Sequence, residues 1–314
     1  FHKKIITDVK MFKALAGNTA IKFTSLRKMA GIFSAVLILA GIGLLVREFD
    51  SMKGIDFAGG SSAQIRLAEP LSINDLRAKL PDSYKIQEYS VSGGVTGELS
   101  DRFLVKKKLT SEEAAAYSAG ELEGMDLQTQ FKAEIRSSLG SSLDATDPFA
   151  EVNTVGPRVS SEIQEKASSA IFWALLAIVI YMNFRFKEYR YGIAAVIAVF
   201  HDVLITLGFL ALASWSGLVR IEINLEIIAA FLTIIGYSLN DTIVVFDRIR
   251  ENIPRKKNLG FAEIIDVSIN QSLSRTVLTS VTTFFVLIVM FLANRPTHNV
   301  LEGFSFAMLV GVVV

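Results

Sequence analysis

The stretch SLNDTIVVFDRIREN, Ser238 to Asn252, closes a long apolar run, and its reading decides how the rest of the chain is read. Asp241 lies inside that run, six residues before the charges cluster at Asp247. About 15 apolar or small residues precede it, and Ile243, Val244, Val245 and Phe246 follow. An ionisable residue at membrane depth costs about 2.5–3.5 kcal/mol on insertion scales, so it tends to face a cavity or a partner. The bland alternative is a helix-end residue that pairs with Arg248, but the short Asp side chain has little reach towards the headgroups.

The composition agrees with a membrane setting. Hydrophobic residues make up 51% of the 314, and mean hydropathy is +0.43, above the usual range for soluble domains. A net charge of +1 excludes a strongly basic nucleic-acid binder, and the lack of cysteine excludes disulfides, thiolate metal sites and cysteine nucleophiles. Runs long enough to span lie near 29–46, 168–184, 191–213, 224–246 and 274–293, and a sixth covers 302–314. The sixth, about 13 residues long, reads as a truncated span. No cleavable signal peptide is expected, since the basic segment 1–28 leads into an apolar run without a small-residue cleavage site.

Lys and Arg alternate between loops as the positive-inside rule requires. Segment 1–28, the loop near 185–190 and the segment after the fourth run are basic, whereas 214–223 and 294–301 carry only Arg220 and Arg295. The expected organisation is a cytoplasmic segment 1–28, a first span 29–46, an extracytoplasmic domain 47–166, and spans two to six over 167–314. An amphipathic helix on the cytoplasmic surface is expected near Phe12, Leu15, Ala16 and Phe23.

Within 47–166 the order of elements reads β-α-β-β-α-β, the pattern of a ferredoxin-like α+β sandwich. Residues 62–68 alternate as a strand, and Ser72 caps a short helix. Residues 84–91 and 101–109 form strands around the glycine-rich turn at 93–97. Leu127, Phe131, Ile135 and Leu139 share a helix face, and 151–156 is the last strand. Lys106, Lys107 and Lys108 read as a solvated strand end, and Arg248, Arg250 and Glu251 as anchors of an interfacial turn.

Three groups of polar residues sit at membrane depth. Thr233, Tyr237, Asn240 and Asp241 share a face of the fourth apolar helix. Ser268, Ser272, Arg275, Thr279 and Thr282 form a stripe down the fifth. His201 and Asp202 lie halfway along the third, where a structural hydrogen-bonded pair and a proton path are equally open readings. A carboxylic acid in a low dielectric resists ionisation, and a nearby cation favours it. A moving Arg275 would then alternately promote release and uptake of a proton at Asp241. Each charge crossing the membrane supplies about 2.3 kcal/mol per 100 mV.

SLNDTIVVFDRIREN resembles the signature of the SecF family, the smaller subunits of the SecDF protein-export complex. GIDFAGG (54–60), VGPRVSSE (155–162) and NQSLSRTVLTS (270–280) agree with it, with Ala58 where the family more often has Thr. The resemblance covers almost the whole chain and implies a relative of half a resistance-nodulation-division transporter. It would assist late-stage preprotein export across the bacterial cytoplasmic (inner) membrane. The implied partners are SecD, the SecYEG channel, YajC, the preprotein and membrane lipid, with no nucleic acid. The implied cation-coupling residues are Asp241 and Arg275, with Thr279 and Asn240 beside them and His201 and Asp202 as accessories. The transported proton or sodium ion stands in place of a cofactor, and no metal site or catalytic residue is expected.

Gly54, Asp56, Gly59 and Gly60 lack the spacing of a phosphate loop and read as a tight turn or hinge. Gly156 and Pro157 read as a hinge or helix start. A passive scaffold of the export channel and a related lipid or small-molecule transporter remain the competing functions. An enzyme is the least expected, because HExxH and GxSxG are absent.

Overall fold

The computed structural model describes residues 19–88, 99–120, 124–219, 221–295 and 300–314. The amphipathic segment around Phe12 to Ala16 and the glycine-rich turn at 93–97 lie outside these residues. In chain order the elements begin with helix α1 (Phe23–Met52) and the single turn α2 (Ile55–Ala58). Strand β1 (Gly60–Leu71), helix α3 (Ile73–Lys79) and strands β2 (Tyr84–Glu88) and β3 (Ser100–Lys108) follow. Next come α4 (Ser111–Ser118), α5 (Gly124–Leu139) and β4 (Phe149–Val155). The chain then runs through α6 (Pro157–Phe186), α7 (Tyr189–Trp215), α8 (Leu225–Arg255), α9 (Phe261–Asn294) and α10 (Val300–Val313).

Five of these helices, α1 and α6 to α9, are long and apolar enough to cross a membrane. They hold 27 to 34 residues each. At 1.5 Å per residue that is about 40–50 Å, more than the ~30 Å hydrocarbon thickness. The helices therefore run past the apolar windows of the sequence at one or both ends. Helix α8 does so most clearly. Instead of an interfacial turn after Phe246, it stays helical to Arg255, with Arg248 and Arg255 both bonded to Glu251. The Asp247 carboxylate takes Arg185 at 3.1 Å and Arg250 at 3.3 Å, which ties α8 to the end of α6. The sixth apolar run forms α10, whose 14 residues rise only about 21 Å. Helix α1 lies against α7 so closely that a Cβ on Gly41 would sit 2.7 Å from the Gly208 Cα, the small-residue packing of membrane helices.

The sheet domain occupies the chain between α1 and α6. Its four strands pair antiparallel in the order β2-β3-β1-β4. Phe131, Ile135 and Leu139 of α5 are buried against Ala63, Ile65, Phe103 and Val105 of the sheet, and Leu127 on the same helix face is buried as well, as their helical spacing requires. Ser72 accepts from the Asp75 amide and starts α3. A capping box of Thr110 and Glu113 starts α4, an element the hydrophobic pattern does not announce. Gly60 begins β1 where a Cβ would lie 2.3 Å from the Lys107 carbonyl oxygen, so no larger residue fits.

The three lysines of β3 are not a solvated strand end. Lys106 is buried and bonds Glu222 at 2.9 Å. Lys107 bonds Glu113 and Glu134, and Lys108 donates to the Asp50 and Ser51 carbonyls at the end of α1. Glu222 stands in the segment between α7 and α8 and also meets Lys85 of β2 at 3.5 Å. Around it the backbone is stitched: Ile223 donates to Met52, Gly54 donates to Ile223 at 2.8 Å, and the Leu225 amide donates to Asp56 at 3.3 Å. The GIDFAGG turn is thus bonded to the lead-in of α8, and Gly156 and Pro157 form the N-cap and first residue of α6. Burial alone would push the Glu222 carboxyl up, yet Lys106 and Lys85 together hold it below the ordinary value of 4.5.

Removing one partner of a buried ion pair leaves the other charge uncompensated. Glu222→Gln is expected to destabilise the sheet-domain junction by about 3–5 kcal/mol, read as a lower midpoint of thermal unfolding, with Lys106→Met in the same chain restoring part of it. Because the folded carboxyl is lowered, its stabilisation is present above the ordinary 4.5 and is lost as pH falls through the folded value. Acid titration of the unfolding midpoint should show a loss in that window that Glu222→Gln abolishes.

Candidate functional site

A cavity of about 620 Å³ opens between α7, α8, α9 and the end of α10. Its polar wall consists of Asp202, Tyr237, Ser238, Asp241, Thr242, Thr276 and Ser280. Two carboxylates from different helices therefore share one space. Asp202 is fully engaged. Ser238 donates to its Oδ2 at 2.6 Å, and His201 Nδ1 lies 2.9 Å from its Oδ1. With Asp202 ionised, the Nδ1–H tautomer of His201 is the donor. The Asp202–Ser238 bond also fastens α7 to α8 one turn before Asp241.

Asp241 differs. It is partly buried, and its carboxylate makes no hydrogen bond or ion pair with any described residue. Arg248, its bland sequence partner, is bonded to Glu251 instead. Arg275 lies near enough to act electrostatically on Asp241, but no contact within ion-pair distance joins them. The acid and the guanidinium are thus neighbours across the α8–α9 seam without being locked together.

The polar stripe of α9 faces a different way from the sequence expectation. The hydroxyls that line the cavity are Thr276 and Ser280. They stand one residue, about 100° around the helix, beyond Arg275 and Thr279. Thr279 donates to the Arg275 and Thr276 carbonyls of its own helix, and Thr282 likewise to Leu278 and Thr279. Thr276 Oγ1, by contrast, is buried without a hydrogen-bond partner among the described residues. Tyr237 reaches Ser280 at 3.5 Å, a weak bridge between α8 and α9. Asn240 is exposed and does not line the cavity. Nearer the basic ends of the helices, buried Ser268 and exposed Gln271 accept from Asn252 at 2.9 Å each. The stripe therefore has two parts, a seam that packs α9 on α8 and a wall of the cavity.

Sequence reasoning missed Ser238, Thr242, Thr276 and Ser280. Ser238 and Thr242 flank Asp241 at the i−3 and i+1 positions, so the quoted stretch contained that signal. Nothing in α9 by itself fixes which of its two adjacent polar faces turns towards α8. Among the described residues no group of three or more His, Asp or Glu is spaced to hold a metal ion.

A family model described as protein export membrane protein SecD/SecF, C-terminal, matches residues 137–314, from the end of α5 through all the later helices. The chain is 40% identical over 304 residues to the protein translocase subunit SecF of Desulfurispirillum indicum, an alignment covering 94% of this chain and 86% of that one. The chain belongs to the SecF family. The protein translocase subunit SecF of Rhodothermus marinus is 39% identical over 298 residues, covering 95% of this chain and 89% of that protein. That of Escherichia coli O157:H7 is 36% identical over 284 residues, covering 90% and 79%. SecF-family membership and the apolar helices make this a protein-transport subunit with a multi-pass membrane architecture.

Ser238→Ala removes one of the two side-chain partners of Asp202. Interhelical hydrogen bonds in membranes average about 0.6 kcal/mol and reach about 1.7. The substitution should lower stability by an amount in that range, measured by unfolding in mixed micelles. Thr279→Ala, whose hydroxyl serves only its own helix, should lower it less.

Proposed function

We propose that this chain is the SecF-type accessory subunit of the Sec translocase. With SecD, it uses a proton or sodium gradient to promote late-stage export of preproteins through the SecYEG channel. The reading is supported chiefly by Asp241, a carboxylate without a fixed partner on the polar wall of a largely apolar cavity. A carboxylate bonded on all sides has no room for a cation. One that stands beside hydroxyls and an unpaired guanidinium can take up a cation and release it. Arg275 supplies the competing charge, and Asp202, held by His201 and Ser238, is an accessory that keeps a second negative charge in the same space.

In this reading the bundle has six spans, α10 belonging to the sixth. The N-terminus is cytoplasmic and residues 47–166 are extracytoplasmic, in a bacterial inner membrane. The sheet domain is read as ferredoxin-like, a reading supported by its antiparallel β2-β3-β1-β4 order with helices after β1 and β3. YajC is a further partner of the complex. The subunit has no hydrolytic chemistry of its own and needs no cofactor beyond the transported ion. One charge moving through 100 mV supplies about 2.3 kcal/mol, enough to bias two arrangements that differ by a few kcal/mol.

The test is gradient-stimulated export in membrane vesicles carrying SecD. Asp241→Asn and Arg275→Ala should abolish the stimulation at unchanged protein level, and Asp241→Glu should retain part of it. Asp202→Asn, which keeps an acceptor for Ser238 but removes the charge, should reduce the stimulation without abolishing it. Full stimulation in Asp241→Asn would leave the passive-scaffold reading in its place.

A further inference from the structure

The sheet domain carries its core residues on the face covered by α5, where Ala63, Ile65, Phe103 and Val105 are buried. By the two-residue alternation of a strand, Arg66 of β1 and Arg102, Leu104 and Lys106 of β3 point to the opposite face. Two like-charge pairs stand directly across neighbouring strands there. Lys85 of β2 is the register partner of Lys106, and Arg66 is the register partner of Arg102. Such partners hold their Cβ atoms about 4.5–5.5 Å apart, and like charges so placed destabilise the pairing.

The lysine pair shows how the fold offsets this repulsion. Glu222 enters from the membrane-helix half, between buried Ile221 and Ile223. Each of its oxygens takes one lysine, at 3.5 Å for Lys85 and 2.9 Å for Lys106. The arginine pair has no such counterpart. Among the described residues neither guanidinium has a hydrogen-bond or ion-pair partner, and both residues are part-exposed. Two carboxylates of the same domain are engaged elsewhere. Glu151 accepts from Gln64 at 3.0 Å and from Asn153 at 2.9 Å. Asp144 accepts from the Thr146 amide at 2.8 Å, and its carboxyl is lowered chiefly by Thr146 and least by Arg66.

We propose that Arg66 and Arg102 are a docking point for an acidic stretch of a polypeptide partner. One carboxylate of the partner would lie between the two guanidiniums, as Glu222 lies between the two lysines. Guanidinium forks match a carboxylate in geometry as well as charge. Arg102 stands four residues from Lys106, about 13 Å along the strand, and Lys108, which meets the end of α1, lies in the other direction. That separation from the membrane-helix half favours a polypeptide over a lipid headgroup. Part-exposed Leu104, between Arg102 and Lys106 on the same face, offers the partner an apolar contact.

Fluorescence anisotropy of the purified full chain in detergent tests this, with a labelled peptide of alternating Glu and Ser as probe. A guanidinium–carboxylate pair of this exposure is worth up to about fivefold in affinity. Two on one carboxylate should make the Glu peptide bind about tenfold more tightly than its Gln analogue at low salt. Arg66→Glu and Arg102→Glu should each remove most of that preference, and a Lys-for-Glu peptide should bind the double variant better than it binds the native chain. Neither single variant should lower the thermal unfolding midpoint, because each replaces a like-charge pair with an opposite one. Lys256→Glu with Lys257→Glu, at the far end of α8, should leave the preference intact. Equal binding of the Glu and Gln peptides, or a preference that survives Arg102→Glu, would overturn the proposal. Displacement of the Glu peptide by equimolar inorganic phosphate would assign the pair to a small anion, and displacement by phosphatidylglycerol in the micelle would assign it to a lipid. Either result overturns the polypeptide assignment.

Discussion

The buried carboxylate of Glu222 holds the molecule's two halves together. It comes from the membrane-helix half, and the lysines that neutralise it come from two strands of the sheet domain. Neither side could keep its charge buried alone, since an isolated ion loses several kcal/mol of hydration on leaving water. The pair is stable only while the two halves are docked. Backbone bonds between the GIDFAGG turn and the segment before α8 surround it. The first turn of α8, capped by Asn224 and held by Asp56, is therefore set by the position of the sheet domain. The same rigid helix carries Asp241 farther along, so an event at one end has a mechanical route to the other.

The polar residues of the membrane-length helices divide by how they are satisfied. Thr233, Thr242, Thr279 and Thr282 donate to carbonyls of their own helices, which makes them tolerable in an apolar setting without a partner helix. Ser268 and Asn252 bond across the α8–α9 contact and hold it. Asp202 is bonded on both oxygens and fastens α7 to α8. Asp241 belongs to none of these groups. A carboxylate left open beside a bonded one, Asp202, is costly to structure alone, and this cost is the reason to assign it a task.

The hydrophobic pattern alone located all five membrane-length helices, the four strands and the buried face of α5, because 3.6-residue and two-residue periods follow directly from backbone geometry. The cap at Ser72 was legible for the same local reason, and Pro157, read as a hinge or a helix start, is the first residue of α6. The ends of α8 and α9 were not, because charged residues continue a helix once it has left the apolar layer, and hydropathy marks only where that layer stops. Helix α4 was missed because its eight residues carry no apolar period, only a capping box.

At the candidate site, the sequence by itself determined that Asp241, Arg275, His201 and Asp202 sit inside long apolar runs, because hydropathy depends on local composition and needs no partner. The fold decided who meets whom. It joined Asp202 to Ser238, turned Thr276 and Ser280 rather than Thr279 to the cavity, and left Asn240 outside. It also converted three consecutive lysines from an ordinary charged strand end into three separate tertiary contacts. The Lys106–Glu222 pairing joins residues 116 positions apart. Such pairings depend on helix rotation and domain docking, and no period in a single segment encodes either one.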